Sequence, residues 1–334
     1  MSTITQRSGA TATAMLGLGV HRPERVVTND EICEVLDSSD EWIRTRSGIR
    51  TRRYAADDES LVDMATSAAR AALEASGVDA ADLGAVIVAT STHAQHTPAA
   101  APLVADRLGS RAASFDVSAG CAGFCHALSV ASDLVRGGSA AYVLVIGVEK
   151  LSLFLDPTDR STAFIFADGA GAVVVGAADE AGIGPVAWGS DGSQSHVITQ
   201  EPSCQDRHSD QPMVVRMEGT AVFRWAPFAM ADVAREAVDS AGLVMTDVDA
   251  FIPHQANLRI TETLARNLKL PDTIAVARDV QDSGNTSAAS VPLAIEAMVR
   301  RGEAAPGDTA LLIAFGAGLS YASQVVTLPP VAGL

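Results

Sequence analysis

Ser118-Ala119-Gly120-Cys121-Ala122-Gly123 sets a cysteine among small residues, between the apolar Phe115-Asp116-Val117 and a helical stretch. A thiol at a helix start faces free N–H groups and the positive end of the helix dipole, which favour thiolate. Small neighbours let a thioester approach closely. Cys121 is therefore a candidate nucleophile, the alternative being a buried structural cysteine. Cys125, four residues on in an apolar setting, reads as structural, and Cys33 and Cys204 have no supporting context. His254 closes an apolar strand and is followed by Gln255 and Asn257. A neutral imidazole there can donate to a carbonyl oxygen as negative charge develops. Asn285 lies in Gly284-Asn285-Thr286-Ser287, a turn or cap by itself, but an amide donor without a titratable proton. Phe315-Gly316-Ala317-Gly318 is a turn able to present backbone N–H groups to an oxyanion.

A Cys–His–Asn hydrolase would use the histidine as base to activate the thiol and then water. A carbon–carbon bond-forming enzyme needs two neutral donors that hold an enolate while CO₂ leaves. The Cys121, His254 and Asn285 set suits the second chemistry, provided the chain brings the three together.

An internal repeat does so. At an offset of 165 residues, Ala69-Arg70-Ala71-Ala72 matches Ala234-Arg235-Glu236-Ala237, and Gly77 matches Gly242. Asp82 matches Asp247, Ala85-Val86-Ile87 matches Ala250-Phe251-Ile252, and Arg136-Gly137 matches Arg301-Gly302. Each half reads as a helix (61–76; 222–241), an apolar strand (85–90; 250–253), a small-residue helix from near Cys121 or Thr286, and a last strand (141–147; 310–315). Alternating helices and continuous apolar strands predict an α/β fold of two pseudo-equivalent halves, 1–183 and 184–334. Ligands of such folds gather at the C-terminal ends of strands, where His254 and Cys121 stand. The polar segment 191–211 matches nothing in the first half and is expected to be an insertion loop.

Composition sets limits. A formal charge of −16 excludes wholesale nucleic-acid binding, which needs a basic face. No apolar run of about 18 residues spans a membrane. Residues 11–20 are apolar, but His21-Arg22-Pro23-Glu24-Arg25 follows without a cleavage pattern, so a first buried strand and a cytoplasmic protein are expected. Four cysteines, no CxxC pair and no His/Cys cluster predict neither a disulfide framework nor a metal site.

These residues resemble the β-ketoacyl-acyl-carrier-protein synthase III family of the thiolase-like superfamily. The resemblance runs from about Met15 to Pro329. Its motifs are Ser39-Asp40-Glu41-Trp42-Ile43 with Arg46-Ser47-Gly48-Ile49, Gly120-Cys121-Ala122-Gly123-Phe124, Asp168-Gly169-Ala170-Gly171-Ala172, Pro253-His254-Gln255-Ala256-Asn257 and Gly284-Asn285-Thr286-Ser287-Ala288-Ala289-Ser290. It implies a thiolase-like α-β-α-β-α arrangement, a homodimer and no cofactor beyond the acyl-CoA substrate. It also implies that Cys121 takes an acyl group from acyl-CoA, and that malonyl-acyl-carrier protein then loses CO₂ and attacks the thioester. His254 and Asn285 would hold the malonyl thioester oxygen, and the N–H groups of Cys121 and Ala317 the tetrahedral intermediate. The family often has glycine where Ala317 stands, a departure that matters only if φ is positive there. Trp42 with Arg160 would stack adenine, and Arg46, Asn257 and Gly219 would reach the rest of CoA. Thr97 and Phe223 would bound the acyl pocket, Thr97 from the neighbouring subunit. Threonine, where some members carry a bulky aromatic, leaves room for branched or longer primers. Arg224, Arg259, Arg266 and Lys269 would dock the acidic carrier protein, giving an acidic enzyme a local basic patch. Relatives that pass the acyl group to an alcohol or amine, hydroxymethylglutaryl-CoA synthases, type III polyketide synthases and a silent acyl-binding subunit remain as rivals.

Overall fold

The computed structural model describes residues 4, 7–203, 205 and 211–334; Cys204 and part of the expected insertion lie outside these. The first half lays down β1 (Thr13–His21), a ribbon of β2 (Arg25–Thr28) and β3 (Thr51–Tyr54), β4 (Leu83–Ala89), β5 (Ala113–Val117), β6 (Tyr142–Lys150) and β7 (Asp168–Ala177). The second adds β8 (Ala187–Gly189), a hairpin of β9 (Ile198–Glu201) and β10 (Val214–Met217), β11 (Ala250–Pro253), β12 (Ala275–Val276), β13 (Thr309–Phe315) and β14 (Tyr321–Thr327). Helices α1 (Asn29–Cys33), α2 (Asp40–Ser47), α3 (Leu61–Ser76), α4 (Ala100–Leu108) and α5 (Gly123–Arg136) belong to the first half. Helices α6 (Gly219–Ser240), α7 (Leu258–Leu268), α8 (Val280–Ser283) and α9 (Ser290–Arg301) belong to the second.

Two five-stranded sheets carry the repeat. Their orders are β5-β4-β6-β7-β1 and β12-β11-β13-β14-β8. In each, the first two pairings are parallel and the last two antiparallel. Ala85 pairs with Ala113 and Val143, and its repeat partner Ala250 pairs with Ala275 and Ala310. The offset seen in sequence is thus a shared position in two copies of one sheet.

Both faces of each sheet are covered, which is why the strands are apolar throughout. Ala85, Ile87 and Ala89 of β4 face the same core as Phe124 and Leu128 of α5, Ile295 and Met298 of α9, and Leu312 of β13. Helices α5 and α9 therefore form a middle layer between the sheets. The opposite face of β4, Val86 and Val88, packs under α3 and α4. Phe251 and Leu311 of the second sheet pack under α6 and α7. The result is a layered α-β-α-β-α molecule.

Helix ends follow local chemistry. Ser60 and Asp63 form a reciprocal capping box at the start of α3, and Gly77 closes it in the left-handed region (φ 68°). In contrast, α5 and α9 start without a side-chain cap, directly after 3₁₀ turns at Gly120–Ala122 and Ser287–Ala289. The described residues of the expected insertion loop carry regular structure. Residues 192–197 form a 3₁₀ turn, and β9 pairs antiparallel with β10. Buried Val197 and Val214 anchor this hairpin, an apolar signal masked in sequence by the polar residues between them.

Leu128 is fully buried in the middle layer. Leu128→Ala should cost about 2–5 kcal/mol through lost burial and the cavity left behind. Urea unfolding measures it, and a loss below about 1 kcal/mol would mean the layer can collapse around the gap.

Candidate active site

One apolar cavity collects the three residues singled out in sequence. Cys121, His254 and Asn285 all line it, together with Ser287, Phe315 and Ala317. Cys121 sits on the 3₁₀ turn after β5, at the foot of α5. Asn285 lies just before the equivalent turn at the foot of α9, and His254 follows β11.

Asn285 is held at both its backbone and its side chain. Its N–H donates to Ile165 O (2.9 Å), and its carbonyl accepts from Ala167 N (2.9 Å). Its Oδ1 accepts the N–H of Ser287 (2.8 Å), which fixes the amide and assigns Nδ2 as the group left to donate. His254 donates its backbone N–H to Ile313 O (2.7 Å), and its ring meets Phe315 edge-on. The ring Nδ1 is 2.7 Å from Ser290 Oγ, which also accepts the Gln255 N–H (3.3 Å). With the Ser290 hydroxyl donating to Nδ1, Nε2 carries the ring proton toward the cavity. Burial drives the His254 pKa down to about 3, so the imidazole is neutral at ordinary pH. Two uncharged N–H donors, one imidazole and one amide, face one apolar space.

The thiol differs from expectation. Burial pushes the Cys121 pKa up to about 12, and the negative charge of the nearby Glu149 carboxylate adds to the rise. Loss of water around the sulfur is the largest of these effects and favours the protonated thiol.

The turn after β13 meets Cys121 backbone to backbone. A Cβ on Gly316 would lie 2.6 Å from Cys121 N, and Gly120 (φ 52°) would bring one to 3.0 Å from Ala317 N. Only glycine fits at either place. Among the described residues, no backbone carbonyl takes the N–H of Cys121 or of Ala317. Ala317 is not among the residues with positive φ, so its methyl group brings no strain. The two N–H groups stand on opposing turns and can serve one oxygen.

The remaining sequence-predicted residues are placed as follows. Trp42 lies with the Arg160 guanidinium 4.9 Å and that of Arg46 5.7 Å from its ring centre, and Phe164 meets it edge-on. Arg160 thus rests on the indole itself, where an adenine would have to part them. Asn257 caps α7 and donates through Nδ2 to Arg46 O (3.1 Å), tying α2 to the strand end that carries His254. Gly219 begins α6 two residues after Met217, a cavity residue. Phe223 does not line the cavity; its neighbour Val222 does, and Phe223 instead lies beneath the Arg259 guanidinium (4.9 Å). On a helix one position is a rotation of about 100°, enough to turn a residue off the cavity. Thr97 is exposed on a loop outside this chain's own cavity. Arg224, Arg259 and Arg266 are exposed on α6 and α7 and Lys269 just past the end of α7, and no ion pair among the described residues involves them.

Sequence reasoning missed several residues. Ser287 and Ser290 fix the site's donors, and Glu149 stands behind Ser287 (3.0 Å). Leu151, Phe166, Ile198, Val215 and Met217 wall the cavity, three of them from the β9–β10 hairpin. Alternating apolar residues in the hairpin strands were the available signal.

Comparison with known proteins supports the same reading. A model of 3-oxoacyl-[acyl-carrier-protein] synthase III matches residues 115–192, and the model of its C-terminal region matches 238–328. The β-ketoacyl-[acyl-carrier-protein] synthase III of Mycobacteroides abscessus is 55% identical, with 99% of each chain covered. The chain belongs to the 3-oxoacyl-[acyl-carrier-protein] synthase III family. The mycobacterial synthase III of Mycobacterium tuberculosis is likewise 55% identical, over 98% of this chain and 99% of that protein. Among solved structures, the priming β-ketosynthase of the R1128 polyketide pathway superposes with a TM-score of 0.95 at 46% identity, covering 98% and 99% of the two chains. Synthase III from Aquifex aeolicus gives 0.87 at 38% identity, covering 95% and 100%. Within this synthase III fold no group of three or more His, Cys, Asp or Glu among the described residues is placed to hold a metal ion. No helix among them is long and apolar enough to cross a membrane.

The His254 environment has a measurable signature. In the unfolded chain the ring takes a proton below its ordinary value of 6.5, whereas in the folded protein it stays neutral to about 3. Between these values the unfolded state binds more protons, so stability rises with pH and is lost as pH falls. His254→Asn should flatten the stability–pH slope between pH 4 and 6 by up to ~1.4 kcal/mol per unit. Urea titrations across that range read the difference, and an unchanged slope would mean the native ring protonates.

Proposed function

We propose that this chain carries out the decarboxylative condensation of an acyl-CoA primer with malonyl-acyl-carrier protein, starting fatty acid or polyketide chains. One observation carries the reading: a thiol, a neutral imidazole and a fixed amide converge on a single apolar cavity. Cys121 attacks the acyl-CoA carbonyl, and the N–H groups of Cys121 and Ala317 take the oxyanion. CoA leaves, and the acyl group stays on sulfur. Malonyl thioester then enters, and Nε2–H of His254 and Nδ2–H of Asn285 receive its carbonyl oxygen. These donors strengthen as the enolate charge develops, which favours loss of CO₂. The carbanion attacks the Cys121 thioester, and 3-oxoacyl carrier departs. A neutral histidine suits this task, because a cation would bind the malonyl carboxylate and hold it back.

Trp42, Arg46, Arg160, Gly219 and Asn257 form the CoA entrance in this reading. Arg224, Arg259, Arg266 and Lys269 receive the carrier protein; that none is ion-paired among the described residues supports it, since a partner's carboxylates need displace none of those. The reaction needs no cofactor beyond acyl-CoA. Edge strand β5, with Phe115 exposed, supports pairing with a second copy into a homodimer. The polypeptide would work in the cytoplasm.

Intact-mass spectrometry with a panel of acyl-CoAs tests the first half. A mass gain that requires Cys121, is lost in Cys121→Ser, and is discharged with CO₂ release by malonyl-carrier protein is the expected outcome. A gain that persists with malonyl-carrier protein would favour transfer to an alcohol or amine instead. Asn285→Asp, which replaces the amide donor with a carboxylate, should slow CO₂ release by roughly 100-fold or more while acyl loading survives.

Thr97 is the proposed end of the neighbouring subunit's acyl pocket, and its small size supports acceptance of branched or longer primers. Thr97→Phe should shift primer preference toward acetyl-CoA in a chain-length competition. An unchanged profile would remove Thr97 from the pocket.

A further inference from the structure

We propose that Glu149 is a positioning residue for the decarboxylation step, gripping the Ser287 hydroxyl so that the Ser287 backbone holds the Asn285 amide in its donating orientation. The inference deepens the reading above and rests on Asn285 being a donor to the malonyl thioester oxygen.

Ser287 is the residue that fixes the Asn285 side chain: its N–H donates to Asn285 Oδ1 (2.8 Å). It does so from the left-handed region, at φ 48°, where an L side chain is uncommon and strained. The repeat supplies a comparison. Ser287 opens the 3₁₀ turn before α9, and Gly120 opens the matching turn before α5 at φ 52°. The first half thus meets the same backbone demand with glycine, which takes positive φ freely. In the second half a buried serine stands there instead, and its conformation needs support from outside the turn.

Glu149 gives that support. It is fully buried near the end of β6, and its Oε1 accepts from Ser287 Oγ (3.0 Å). Gly147, on the same face of β6, lets the strand press on the turn; a Cβ there would lie 2.3 Å from Ala288 O. The strand positions of the two halves correspond as well. Val143 pairs with Ala85, and Ala310 with Ala250, so Glu149 on β6 holds the place of Gly316 after β13. Gly316 packs on the Cys121 turn across the repeat, and Glu149 grips the Ser287 turn in the reverse direction.

The carboxylate is itself anchored from the first half. Its Oε2 accepts from Thr90 Oγ1 (3.0 Å) and Thr92 Oγ1 (2.5 Å), and its Oε1 from Ser91 Oγ (3.0 Å). The Ser91 N–H reaches both oxygens (3.2 and 3.1 Å). The Thr90 and Thr92 hydroxyls accept the N–H groups of Thr92 (3.2 Å) and Lys150 (2.9 Å), so their own protons are committed to Glu149. Lys150 points to the opposite face of β6, where its Nζ donates to Ala56 O (2.8 Å) and Glu59 O (2.7 Å), and so does not draw the carboxylate away. Glu149 does not line the cavity; it acts on it through Ser287. Without the grip, Ser287 relaxes toward negative φ, its N–H turns away, and the Asn285 amide is free to rotate off the enolate oxygen.

The test separates acyl loading, read by intact mass, from CO₂ release when malonyl-carrier protein is added to the loaded enzyme. The variants are Glu149→Gln, Ser287→Ala, Ser287→Gly and the double variant with Glu149→Gln and Ser287→Gly. Ser287→Ala removes the hydroxyl and keeps the strain, so CO₂ release should fall roughly 10- to 100-fold while loading falls less than about threefold. Ser287→Gly also removes the hydroxyl but takes positive φ freely, so it should recover most of that loss. Glu149→Gln should slow CO₂ release as Ser287→Ala does, yet cost less than about threefold when added to Ser287→Gly. A glycine variant as slow as the alanine variant, or loading that falls in step with CO₂ release, would overturn the grip. The two serine variants decide this even where Glu149→Gln does not fold. CO₂ release that survives Asn285→Asp would instead remove the donor reading on which the inference rests.

Discussion

Two helix starts can share one cavity because α5 and α9 lie together in the middle layer. Each start follows a 3₁₀ turn without a side-chain cap, one carrying Cys121 and the other following Asn285. Packing fixes their separation: Phe124 and Leu128 of one helix and Ile295 and Met298 of the other belong to a single buried core with both sheets. Interiors at this density do not slide, so turns on opposite sides of the repeat are held in register with little freedom. Arg22 adds a polar tie, binding Glu296 (2.5 Å) and Leu293 O (2.9 Å) of α9 from the end of β1.

The close approach of Gly316 to Cys121 is a second product of that constraint. The β13 turn can press its backbone against the nucleophile only where neither chain carries a Cβ in the gap. The backbones of the two turns are thereby held in close contact around Cys121. Pre-placed donors avoid the reorganisation that water would need around a forming oxyanion. The packing that buries the Cys121 thiol in this corner is what raises its pKa.

How much was legible in the sequence follows from what leaves a local pattern. The duplicated sheet was readable because Ala85 and Ala250 occupy the same strand position, and strand packing restricts the residues there. Cys121, His254 and Asn285 were readable because each closes a strand or opens a helix. Glu149 was not, since one acid at the end of an apolar strand gives no periodic signal; its meaning lies in Thr90, Ser91, Thr92 and Ser287, the last far away in sequence. The β9–β10 hairpin was hidden by its polar tip. Phe223 stands one helical position from the cavity-lining Val222, and the burial that raises the Cys121 pKa cannot be read from a helix start alone.

The cavity wall has a consequence for the departing gas. Its lining includes Ser91, Thr92, Leu151, Phe166, Val215 and Met217, and among the described residues no lysine or arginine. In the proposed reaction a malonyl carboxylate entering here leaves its hydration behind and finds no counter-ion. Cleavage to CO₂ turns a poorly solvated anion into a neutral, apolar molecule matched to its surroundings, while the charge moves to an oxygen met by two donors. The walls thus oppose the reactant's charge where it begins and the donors accept it where it ends, so the direction of electron flow is written into the distribution of polarity around a single space.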